Sequence, residues 1–600
     1  MRERLISVLV AAAMVVSACT SATSTATPSI GASSVLPSPT VAPTSQAANV
    51  AGAGYSPVPA LAKDGKVTLA EWAFPHTVNP YYAQDETDIE VSDSMFDGLL
   101  SVTPDLRYVP DLALNVPTVE NGGVVMVGAG MDVSWTLRPL MQWSDGKPIS
   151  CDDIAATWQW IMNKDNTGLA GGTIGWQDVT GVDGGASTNC VMHFGKVYEG
   201  YLTLVSPLLP AHYITTIPVK DAHTKLYPMA TLASGVYSGP YIPGGTDGKA
   251  SMTLKPNPAW QTVGGHEPWL SAVTWRYYAD SSAMINGFKA GDYDVGQNLT
   301  NMNLPSLSSV DPSDLVVHDS LTYELLVFNN ASFKTKFGGD ASNIIQAIKL
   351  ATDRRAIAAG LLGGFVGVAN NFVSPLSWYY KDISSSLGGD PTVADPATAS
   401  ALLANAGWTK GTDGYLAKSG KTLELSYCTT TVQYRLDMLQ LMANQLKSIG
   451  IKVDISSRPQ SDVFGTWSNT KPDTVCNLSH GNFDVAEFAY VSPIDPLRGY
   501  RVYHSSQIPD NDPHDGGNVS RISLPTLDAD YDTVAANADL TKVRAAMLSV
   551  QDIYGSDSNT YELPLYFRKD VWLVNPKIHN FLGNPTPSGA EWNIGDWWVG

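Results

Sequence analysis

Residues 436–455 read LDMLQLMANQLKSIGIKVDI and contain a helix pattern followed by a strand pattern. The apolar spacing from Leu436 to Ser448 predicts an amphipathic helix that ends at Gly450. The run Ile451-Lys452-Val453-Asp454-Ile455 then predicts a strand. Because a helix joined to a strand by a short glycine break is typical of a crossover onto a sheet, this stretch predicts an α/β fold.

The alternation of helix and strand patterns extends through the rest of the body. Predicted strands cover residues 67–72, 131–137 and 483–492. Helices are predicted over residues 89–100 and 343–361. A further helix is expected to begin with Asp152 or Asp153 as its N-cap, and another to begin at Asp395-Pro396 and end at Gly407. No period of roughly 20–50 residues repeats, which excludes a solenoid.

Length and composition define the broad class of the chain. Its 600 residues are several times the roughly 100–200 of a single-core domain, which predicts more than one packing unit. Hydrophobic residues at 44% and charged residues at 16% are typical of a globular protein. The net charge of -20 argues against nucleic acid as a partner, because such a chain repels phosphate.

The N-terminal segment predicts export and lipid attachment. Two arginines precede an apolar run from Leu5 to Val16, which at about twelve residues is too short to span a bilayer. Residues 1–18 are therefore interpreted as a signal peptide. Val16-Ser17-Ala18-Cys19 resembles the lipobox of bacterial lipoproteins, with Val in place of the usual Leu, which implies a lipid on Cys19. The alternative is an ordinary signal peptide with an incidental cysteine.

Residues 19–62 are predicted to be a disordered tether of Ser, Thr, Ala and Pro. No side chain between Thr20 and Ala62 is charged, and few are large enough to contribute to a core. Such a segment cannot offset its own ordering entropy, so we expect it to be a flexible connection between membrane and body.

The remaining four cysteines predict two disulfides, because their number is even in an exported chain. Three connectivities are open, and we favour the sequential one, Cys151–Cys190 and Cys428–Cys476. No CxxC pair and no Cys/His cluster has zinc-ligand spacing, so we expect no metal at these cysteines.

The sequence contains no G-x-S-x-G, H-E-x-x-H or G-x-x-x-x-G-K-[ST] motif. We therefore expect no enzyme activity and no cofactor. Asp510, Asp512 and Asp515 resemble part of a calcium loop, but the twelfth position is Arg521 where such loops have a bidentate acid, which weakens that interpretation.

Several segments between residues 66 and 570 resemble, in their order, the extracytoplasmic solute-binding proteins of ABC importers, in the oligopeptide/dipeptide-binding class. They are Met95-Phe96-Asp97-Gly98-Leu99-Leu100, Pro110-Asp111-Leu112-Ala113, Trp143-Ser144-Asp145-Gly146-Lys147-Pro148, Ser238-Gly239-Pro240-Tyr241, Asn257-Pro258-Ala259-Trp260, Ala351-Thr352-Asp353-Arg354 and Ala406-Gly407-Trp408. One departure is Ile345, where the family usually has Arg.

The resemblance implies a two-lobe periplasmic-binding-protein-like fold of type II, with an extra subdomain and a hinge between the lobes. Lobe I is expected to comprise residues 63–96, 231–322 and 561–600, the inserted subdomain residues 97–230, and lobe II residues 323–560. Ligand is expected between the lobes, and it closes them because it binds the closed form better than the open one.

The resemblance also implies the function. We expect a monomeric, lipid-anchored receptor outside the cell membrane that delivers a peptide-sized solute to an ABC permease. In peptide-binding relatives, an acidic residue three places before the (D/E)-P dipeptide pairs with the peptide's α-amino group. Here the dipeptide is Asp495-Pro496 and that place is Ser492, which carries no charge. Asp495, Asp85 or Glu86 is the expected substitute.

Ten residues are candidate ligand contacts. The strand over residues 483–492 is the expected cleft wall, although Phe488 and Tyr490 are equally consistent with core positions. The candidates are Gln84, Asp85, Glu86, Phe464, Trp467, Glu487, Phe488, Tyr490, Ser492 and Asp495.

Two other functions remain open from the sequence. The 16 Trp and 26 Tyr favour stacking on sugar rings, so an oligosaccharide is the alternative ligand. A secreted hydrolase with Asp495 and Glu487 as its acids is the third possibility.

Overall fold

The fold is organised around a ten-stranded mixed sheet. A computed structural model describes residues 55–83, 85–246, 250–262, 265–383, 393–510, 516–555 and 561–600. The strands are β1 (Lys66–Glu71), β2 (Leu100–Val102), β3 (Tyr108–Pro110), β4 (Val124–Val127), β5 (Gly130–Thr136), β6 (Val179–Asp183), β7 (Asn189–Phe194), β8 (Tyr241–Thr246), β9 (Ser251–Pro256), β10 (Ala272–Tyr277), β11 (Val295–Thr300), β12 (Leu315–Phe328), β13 (Thr409–Lys410), β14 (Leu416–Lys418), β15 (Lys421–Thr422), β16 (Glu424–Thr430), β17 (Lys452–Arg458), β18 (Val485–Val491), β19 (Glu562–Val574), β20 (Ile578–His579) and β21 (Trp598–Val599).

Helices cover the faces of the sheets. The α-helices are α1 (Glu86–Asp93), α2 (Cys151–Ile161), α3 (Ala211–Ile214), α4 (Ala222–Lys225), α5 (Ser281–Lys289), α6 (Asn330–Phe337), α7 (Ala341–Ala351), α8 (Arg354–Ala356), α9 (Pro396–Asn405), α10 (Gln433–Ser448), α11 (Gln460–Val463), α12 (Arg498–Tyr503), α13 (Pro525–Ala535) and α14 (Leu540–Gly555). No helix of the described residues is long and apolar enough to cross a membrane.

The main sheet has the strand order β17-β16-β18-β12-β19-β11-β1-β10-β9-β8. Its centre is the pair of long strands β12 and β19, which run antiparallel from Leu315–Leu573 to Val327–Glu562. On one side β12 pairs with β18, and on the other β19 pairs with β11. We call the half with β1 and β8–β11 the first lobe and the half with β16–β18 the second lobe. The chain passes between them along β12 and β19.

Each lobe has its own buried core. In the first lobe, Val67 and Leu69 of β1 pack in one cluster with Trp275 of β10. In the second, Leu326 of β12 packs in one cluster with Met438 of α10. Burying each such side chain contributes about 1.5–3 kcal/mol, so each lobe has a separate source of stability. A further sheet, β4-β5-β7-β6, lies in the segment expected to form the inserted subdomain.

The helix and strand at residues 436–455 form the predicted crossover. Helix α10 connects β16 to β17, and these two strands pair in parallel from Glu424–Lys452 to Thr430–Arg458. The α/β prediction is thereby confirmed. The predicted cap of α9 is also confirmed, because the Asp395 side chain accepts a hydrogen bond from Thr398 N over 2.9 Å.

Three predicted helix bounds are wrong. The helix expected over residues 89–100 ends at Asp93. Beyond it, Gly239 N donates a hydrogen bond to the Met95 carbonyl oxygen, and Tyr241 N donates one to the Ser94 carbonyl oxygen, so these carbonyl groups are not available to continue the helix. The helix expected to begin with an Asp152 or Asp153 cap begins at Cys151, and the Asp153 carboxylate accepts from Ser150 N over 2.9 Å.

The third wrong bound concerns the helix expected over residues 343–361. Helix α7 ends at Ala351, and Thr352 has extended backbone angles. Asp353 then caps a new short helix by accepting a hydrogen bond from Ala356 N over 2.9 Å. An Asp side chain that accepts a hydrogen bond from the backbone three residues later starts a new helical turn, and this competes with continuation of the preceding helix through that residue.

Both favoured disulfides are present. Cys151 at the start of α2 is bonded to Cys190 of β7, and Cys428 of β16 is bonded to Cys476. The sequential connectivity is confirmed. Each bond ties together elements that are distant along the chain but adjacent in one packing unit.

The first described residues rest on the C-terminal segment. Tyr55 OH donates to Asp596 Oδ2 over 2.9 Å, and Val58 N donates to Asn580 Oδ1 over 2.9 Å. The Tyr55 ring also packs edge-on against Trp592. The ordered body therefore begins upstream of Lys63, because these contacts hold the end of the predicted tether on the first lobe.

Candidate functional site

A cavity of about 1800 Å³ lies between the two lobes. Its first-lobe wall comes from the chain after β1 and from residues 584–596, and its second-lobe wall comes from residues 490–503. Residues between 169 and 207, in the segment expected to be a subdomain, close a further side. Tyr323 of β12 and Trp572 of β19 also reach the wall. A solute in this cavity contacts both lobes and both crossing strands.

Aromatic rings make up much of the apolar wall. They are Tyr55, Tyr81, Phe96, Tyr108, Trp176, Tyr198, Trp260, Tyr323, Phe372, Tyr379, Tyr490, Tyr503, Tyr531, Trp572 and Trp592. Such rings offer large apolar faces, and those of Tyr and Trp also provide polar groups at their edges. The wall can therefore hold apolar side chains or flat rings without requiring one particular ligand shape.

Carboxylates outnumber cationic side chains in the wall. The acids are Glu86, Glu90, Asp93, Asp97, Asp111, Asp495, Asp570, Glu591 and Asp596, and the guanidinium groups are Arg498, Arg501 and Arg568. Burial raises the pKa of Asp570 to about 7 and that of Asp111 to about 6. A cavity of this composition favours solutes that bring positive charge and N–H donors.

A buried ionic cluster joins the crossing strands to the second lobe. Glu324 Oε1 on β12 accepts from Arg568 Nε over 2.9 Å, from Tyr434 OH over 2.8 Å and from Arg435 Nη2 over 3.2 Å. Burial raises the pKa of Glu324, but the two guanidinium groups outweigh burial and hold this pKa below its usual value. Glu324 is therefore ionised.

Glu487 lies in the same cluster and not in the cavity wall. Its Oε2 accepts from Thr429 Oγ1 over 2.7 Å, and Arg435 Nε lies 3.7 Å away. Burial, together with the charge of Glu324, raises the pKa of Glu487 well above its usual value. Glu487 therefore keeps its proton, and the structure places it in the second-lobe core instead of at a ligand.

Ser492 lines the cavity, but its hydroxyl already has a partner within the protein. Ser374 N donates to Ser492 Oγ over 2.9 Å, and Ser492 N donates to the Leu321 carbonyl oxygen over 2.7 Å. The residue fixes the end of β18 against β12 and the loop at Ser374. Its position in the wall agrees with the expectation, although its side chain is uncharged.

Asp495 also lines the cavity and connects the second lobe to the segment before β8. Its Oδ1 accepts from Leu497 N over 2.8 Å, and its carboxyl group hydrogen bonds with that of Glu199. Burial and then the Asp495 charge raise the pKa of Glu199 well above its usual value, so Glu199 keeps its proton. Part of the hydrogen-bonding capacity of the Asp495 carboxylate is therefore used in a contact between the second lobe and the segment before β8.

The acidic loop after β1 divides between surface and cavity. Gln84 lies outside the described residues. Asp85 is exposed, and its Oδ2 lies 3.1 Å from His76 Nδ1 instead of facing the cavity. Glu86 lines the cavity, where burial raises its pKa against the opposing effect of Arg568.

Three of the four aromatic candidates, Phe464, Trp467 and Phe488, lie away from the cavity wall. Phe488 is buried in the second-lobe core, with the ring of Phe464 edge-on at 5.6 Å and that of Tyr490 at 4.9 Å. Trp467 packs against His480 at 4.3 Å. Of these four aromatic candidates, Tyr490 alone reaches the wall of the described cavity.

One group near the cavity has metal-ligand chemistry. His76, Asp85 and Asp88 place ligand atoms within 4.8 Å of one another. However, Asp88 Oδ1 accepts from His76 N over 2.6 Å and from Thr77 N over 3.3 Å, so the loop's own backbone already uses this carboxylate. We assign no ion to it. Asp512 and Asp515 of the calcium-like loop lie outside the described residues.

Several wall residues were missed by sequence reasoning. Arg568 and Asp570 belong to the polar run Arg568-Lys569-Asp570, which interrupts the apolar stretch of β19, and that interruption was a usable signal. Asp93 and Glu591 had no such signal, because they are almost 500 residues apart and no local pattern relates them.

The two lobes, the paired crossing strands and the enclosed cavity define a two-lobe solute-binding protein. Residues 108–506 match the model for "Bacterial extracellular solute-binding proteins, family 5 Middle". The chain belongs to this family. Proteins of the family are extracytoplasmic and serve as substrate-binding proteins of ABC transporters.

Curated relatives agree with this assignment. The chain is 25% identical over 452 residues to the oligopeptide-binding protein AppA of Bacillus subtilis, covering 74% of this chain and 76% of the relative. It is 26% identical over 428 residues to a probable ABC transporter-binding protein of Deinococcus radiodurans, covering 64% and 67%. Among solved structures, Bacillus subtilis AppA with a nonapeptide superposes with a TM-score of 0.63 at 20% identity, covering 90% of this chain and all of that one.

Proposed function

We propose that this chain captures a peptide between its lobes and delivers it to an ABC permease. The supporting observation is the cavity: at about 1800 Å³ it exceeds the roughly 300–1000 Å³ of sites for drug-sized ligands. Relatives named oligopeptide-binding proteins, one of them solved with a nonapeptide, support the same ligand class. The mixture of aromatic faces and carboxylates suits the side chains and amino groups of a peptide.

Recognition of the peptide's amino group requires a residue other than Ser492. The Ser492 hydroxyl is uncharged and accepts from Ser374 N, and Asp495 is engaged with Leu497 and Glu199. We propose that carboxylates from the first lobe and β19 take over this role. Glu86 and Asp570 are positioned for it, since both line the cavity beside the crossing strands.

We propose that the lobes close on the ligand by bending at β12 and β19. The boundaries follow the sequence expectation: lobe I from residues 63–96, 231–322 and 561–600, the subdomain from 97–230, and lobe II from 323–560. The hydrogen bond between Asp495 and Glu199 supports closure, because it joins the second lobe to the subdomain across one side of the cavity.

We propose that the receptor is a monomer held at the outer face of the cell membrane by a lipid on Cys19. The signal peptide, residues 1–18, and most of the tether lie outside the described residues. Cys19→Ala should release the protein from membranes, measured by fractionation of expressing cells. Unchanged membrane retention of that variant would contradict lipid attachment.

We propose that the chain does not turn over its ligand. The hydrolase alternative needs Asp495 and Glu487 to face one substrate. Asp495 lines the cavity, whereas Glu487 is buried beside Glu324 and Arg435. Absence of turnover is checked by incubating the purified chain with peptides and oligosaccharides and weighing the products.

Native mass spectrometry of the purified chain tests the ligand class. The intact complex is weighed, then denatured, and the released molecules are identified. Released peptides are the expected result. Released oligosaccharides would contradict the peptide proposal and favour the aromatic rings as a stacking platform. If the cavity is empty, isothermal titration with a mixture of four- to nine-residue peptides tests the ligand class instead. Failure of every peptide to bind would contradict the peptide proposal.

A matched pair of glycine variants assigns binding to the cavity. A Cβ at Gly171 or at Gly367 meets no atom within 4 Å, so both positions accept a large side chain. Gly171 lines the cavity and Gly367 does not. Gly171→Trp should weaken ligand binding, and Gly367→Trp should leave it unchanged. Equal binding by both variants would place the ligand elsewhere.

A further inference from the structure

Five side chains form a cluster of hydrogen-bond acceptors on the first-lobe side of the cavity. We call it the acceptor nest: Glu71, Glu90, Asp93, Gln297 and Glu591. Glu90, Asp93 and Glu591 line the cavity. Behind them, Gln297 is fully buried and donates from Nε2 to Glu591 Oε1 over 2.6 Å. Glu71 hydrogen bonds with Glu90, and Asn298 Nδ2 donates to Glu90 Oε2 over 3.1 Å.

Four acceptor atoms of the nest are buried without a donor. They are Glu71 Oε1, Asp93 Oδ2, Glu591 Oε2 and Gln297 Oε1. A proton on one carboxyl group can satisfy a neighbouring acceptor, including Gln297 Oε1. Buried acceptors without a partner are rare and unfavourable in folded proteins. The free oxygens of Asp93 and Glu591, whose side chains line the cavity, are therefore where a donor from outside the chain can bind.

The groups that shift the pKa values of Glu71, Glu90, Asp93 and Glu591 most include no Lys or Arg of the described residues. Burial raises the pKa of Asp93 and of Glu591 to about 8, and that of Glu71 to about 7. A cation bound beside these groups lowers their pKa and restores their charge.

The two free carboxylate oxygens face one small space. A Cβ placed on Gly589 lies 3.2 Å from Asp93 Oδ2 and 3.4 Å from Glu591 Oε2. Gly589 itself is part of the cavity wall. Because glycine leaves this space free of side-chain atoms, a flat or compact N–H group arriving from the cavity can reach both oxygens.

We propose that the acceptor nest binds a guanidinium or ammonium group of the solute, which makes this receptor selective for positively charged peptides. This inference rests on the proposed function. A guanidinium offers five N–H donors and pairs with two oxygens at once, which matches a site made of acceptors. The cation is a basic side chain of the peptide, because the amino group of its N-terminus is assigned above to Glu86 and Asp570.

Peptides matched in size test the proposal on the unmodified chain. The probes are pentaalanine with arginine or norleucine at its centre, each with a free and with an acetylated N-terminus, in isothermal titration. The arginine peptide should bind about 10–100-fold more tightly than the norleucine peptide if a side chain fills the nest. A loss on acetylation without any preference for arginine would show that the nest binds the N-terminus, and it would overturn the proposed selectivity.

Two isosteric substitutions then locate the preference. The double variant Asp93→Asn with Glu591→Gln should lower the affinity for the cationic probe at least about tenfold. Its affinity for the acetylated norleucine peptide should be unchanged. Asp552→Asn, which removes the same kind of charge at the exposed Lys381 pair, should have no effect. Thermal unfolding of each variant shows whether it is folded. If a variant does not fold, the comparison of the four peptides on the unmodified chain still tests the proposal.

Two further outcomes would overturn the inference in different ways. If all four probes bind equally well, the receptor binds peptides without a charge preference, and only this inference fails. If no probe binds and no peptide of the mixture binds, the proposed function fails with it.

Discussion

Glu324 of β12 and Arg568 of β19 are bonded to each other across the two strands that pass between the lobes, with Arg568 Nε donating to Glu324 Oε1 over 2.9 Å. Arg435 of α10 donates to the same oxygen. One fully buried carboxylate therefore connects both crossing strands to the second-lobe core, while Arg568 also reaches the cavity wall. Arg568 therefore belongs both to the contacts between the crossing strands and to the cavity wall.

Glu324→Gln should destabilise the protein by about 3–5 kcal/mol, because two buried guanidinium groups lose their counterion. Equilibrium unfolding in urea measures this. The control is Asp552→Asn, whose partner Lys381 is exposed, and it should change stability by less than about 1 kcal/mol. A similar effect from the two variants would contradict the role assigned to Glu324.

Glu487→Gln should be tolerated, with a change of less than about 1 kcal/mol, although Glu487 is as buried as Glu324. Burial and the neighbouring Glu324 charge raise the pKa of Glu487 well above its usual value, so the native side chain is already neutral. Glutamine keeps the acceptor for Thr429 Oγ1 and a donor in place of the carboxyl proton. A loss as large as that of Glu324→Gln would show that Glu487 is ionised.

Removing the second-lobe disulfide should lower stability by about 4 kcal/mol, the chain-entropy value for a loop of this length. Cys428 and Cys476 are 48 residues apart, and both are buried in the second-lobe core. Urea unfolding measures the loss of stability in the double variant Cys428→Ser with Cys476→Ser. The same measurement on Cys151→Ser with Cys190→Ser gives the contribution of the other disulfide. No loss in either would mean that packing alone holds these segments.

Stability of the ligand-free chain should fall as pH rises from about 5 to about 8. Burial raises the pKa of Asp93 and of Glu591 to about 8, against about 4 in an unfolded chain. Between these values the folded state holds more protons, so their contribution is present at low pH and lost as pH rises through the folded pKa. Thermal unfolding across this range should show a smaller decrease for Asp93→Asn with Glu591→Gln, and an identical decrease would contradict the assignment.

Local patterns predicted much of the fold, and long-range contacts explain the errors. The crossover at residues 436–455 and the cap at Asp395 depend on neighbours in sequence, and both were predicted correctly. The end of α1 depends on Gly239 N, which lies some 150 residues away, and no periodicity reports such a bond.

The site was harder to predict than the fold for the same reason. Family motifs placed Ser492 and Asp495 in the wall because they follow directly from a strand and a dipeptide. The acceptor nest combines β1, α1, β11 and the residues before β21, which only the tertiary fold brings together. Glu487 was misleading because alternation along a strand assigns a face but does not show whether that face meets a cavity or a core.

The docking of Tyr55 and Val58 on the C-terminal segment has a mechanical consequence. These residues bond to Asp596 and Asn580, which adjoin β21 and β20, and β21 contacts β1 of the first lobe. Any force transmitted through the upstream chain is therefore taken up by the first lobe. Under the proposed anchoring and the proposed bending at β12 and β19, the first lobe is the fixed half and the second lobe is the half that moves.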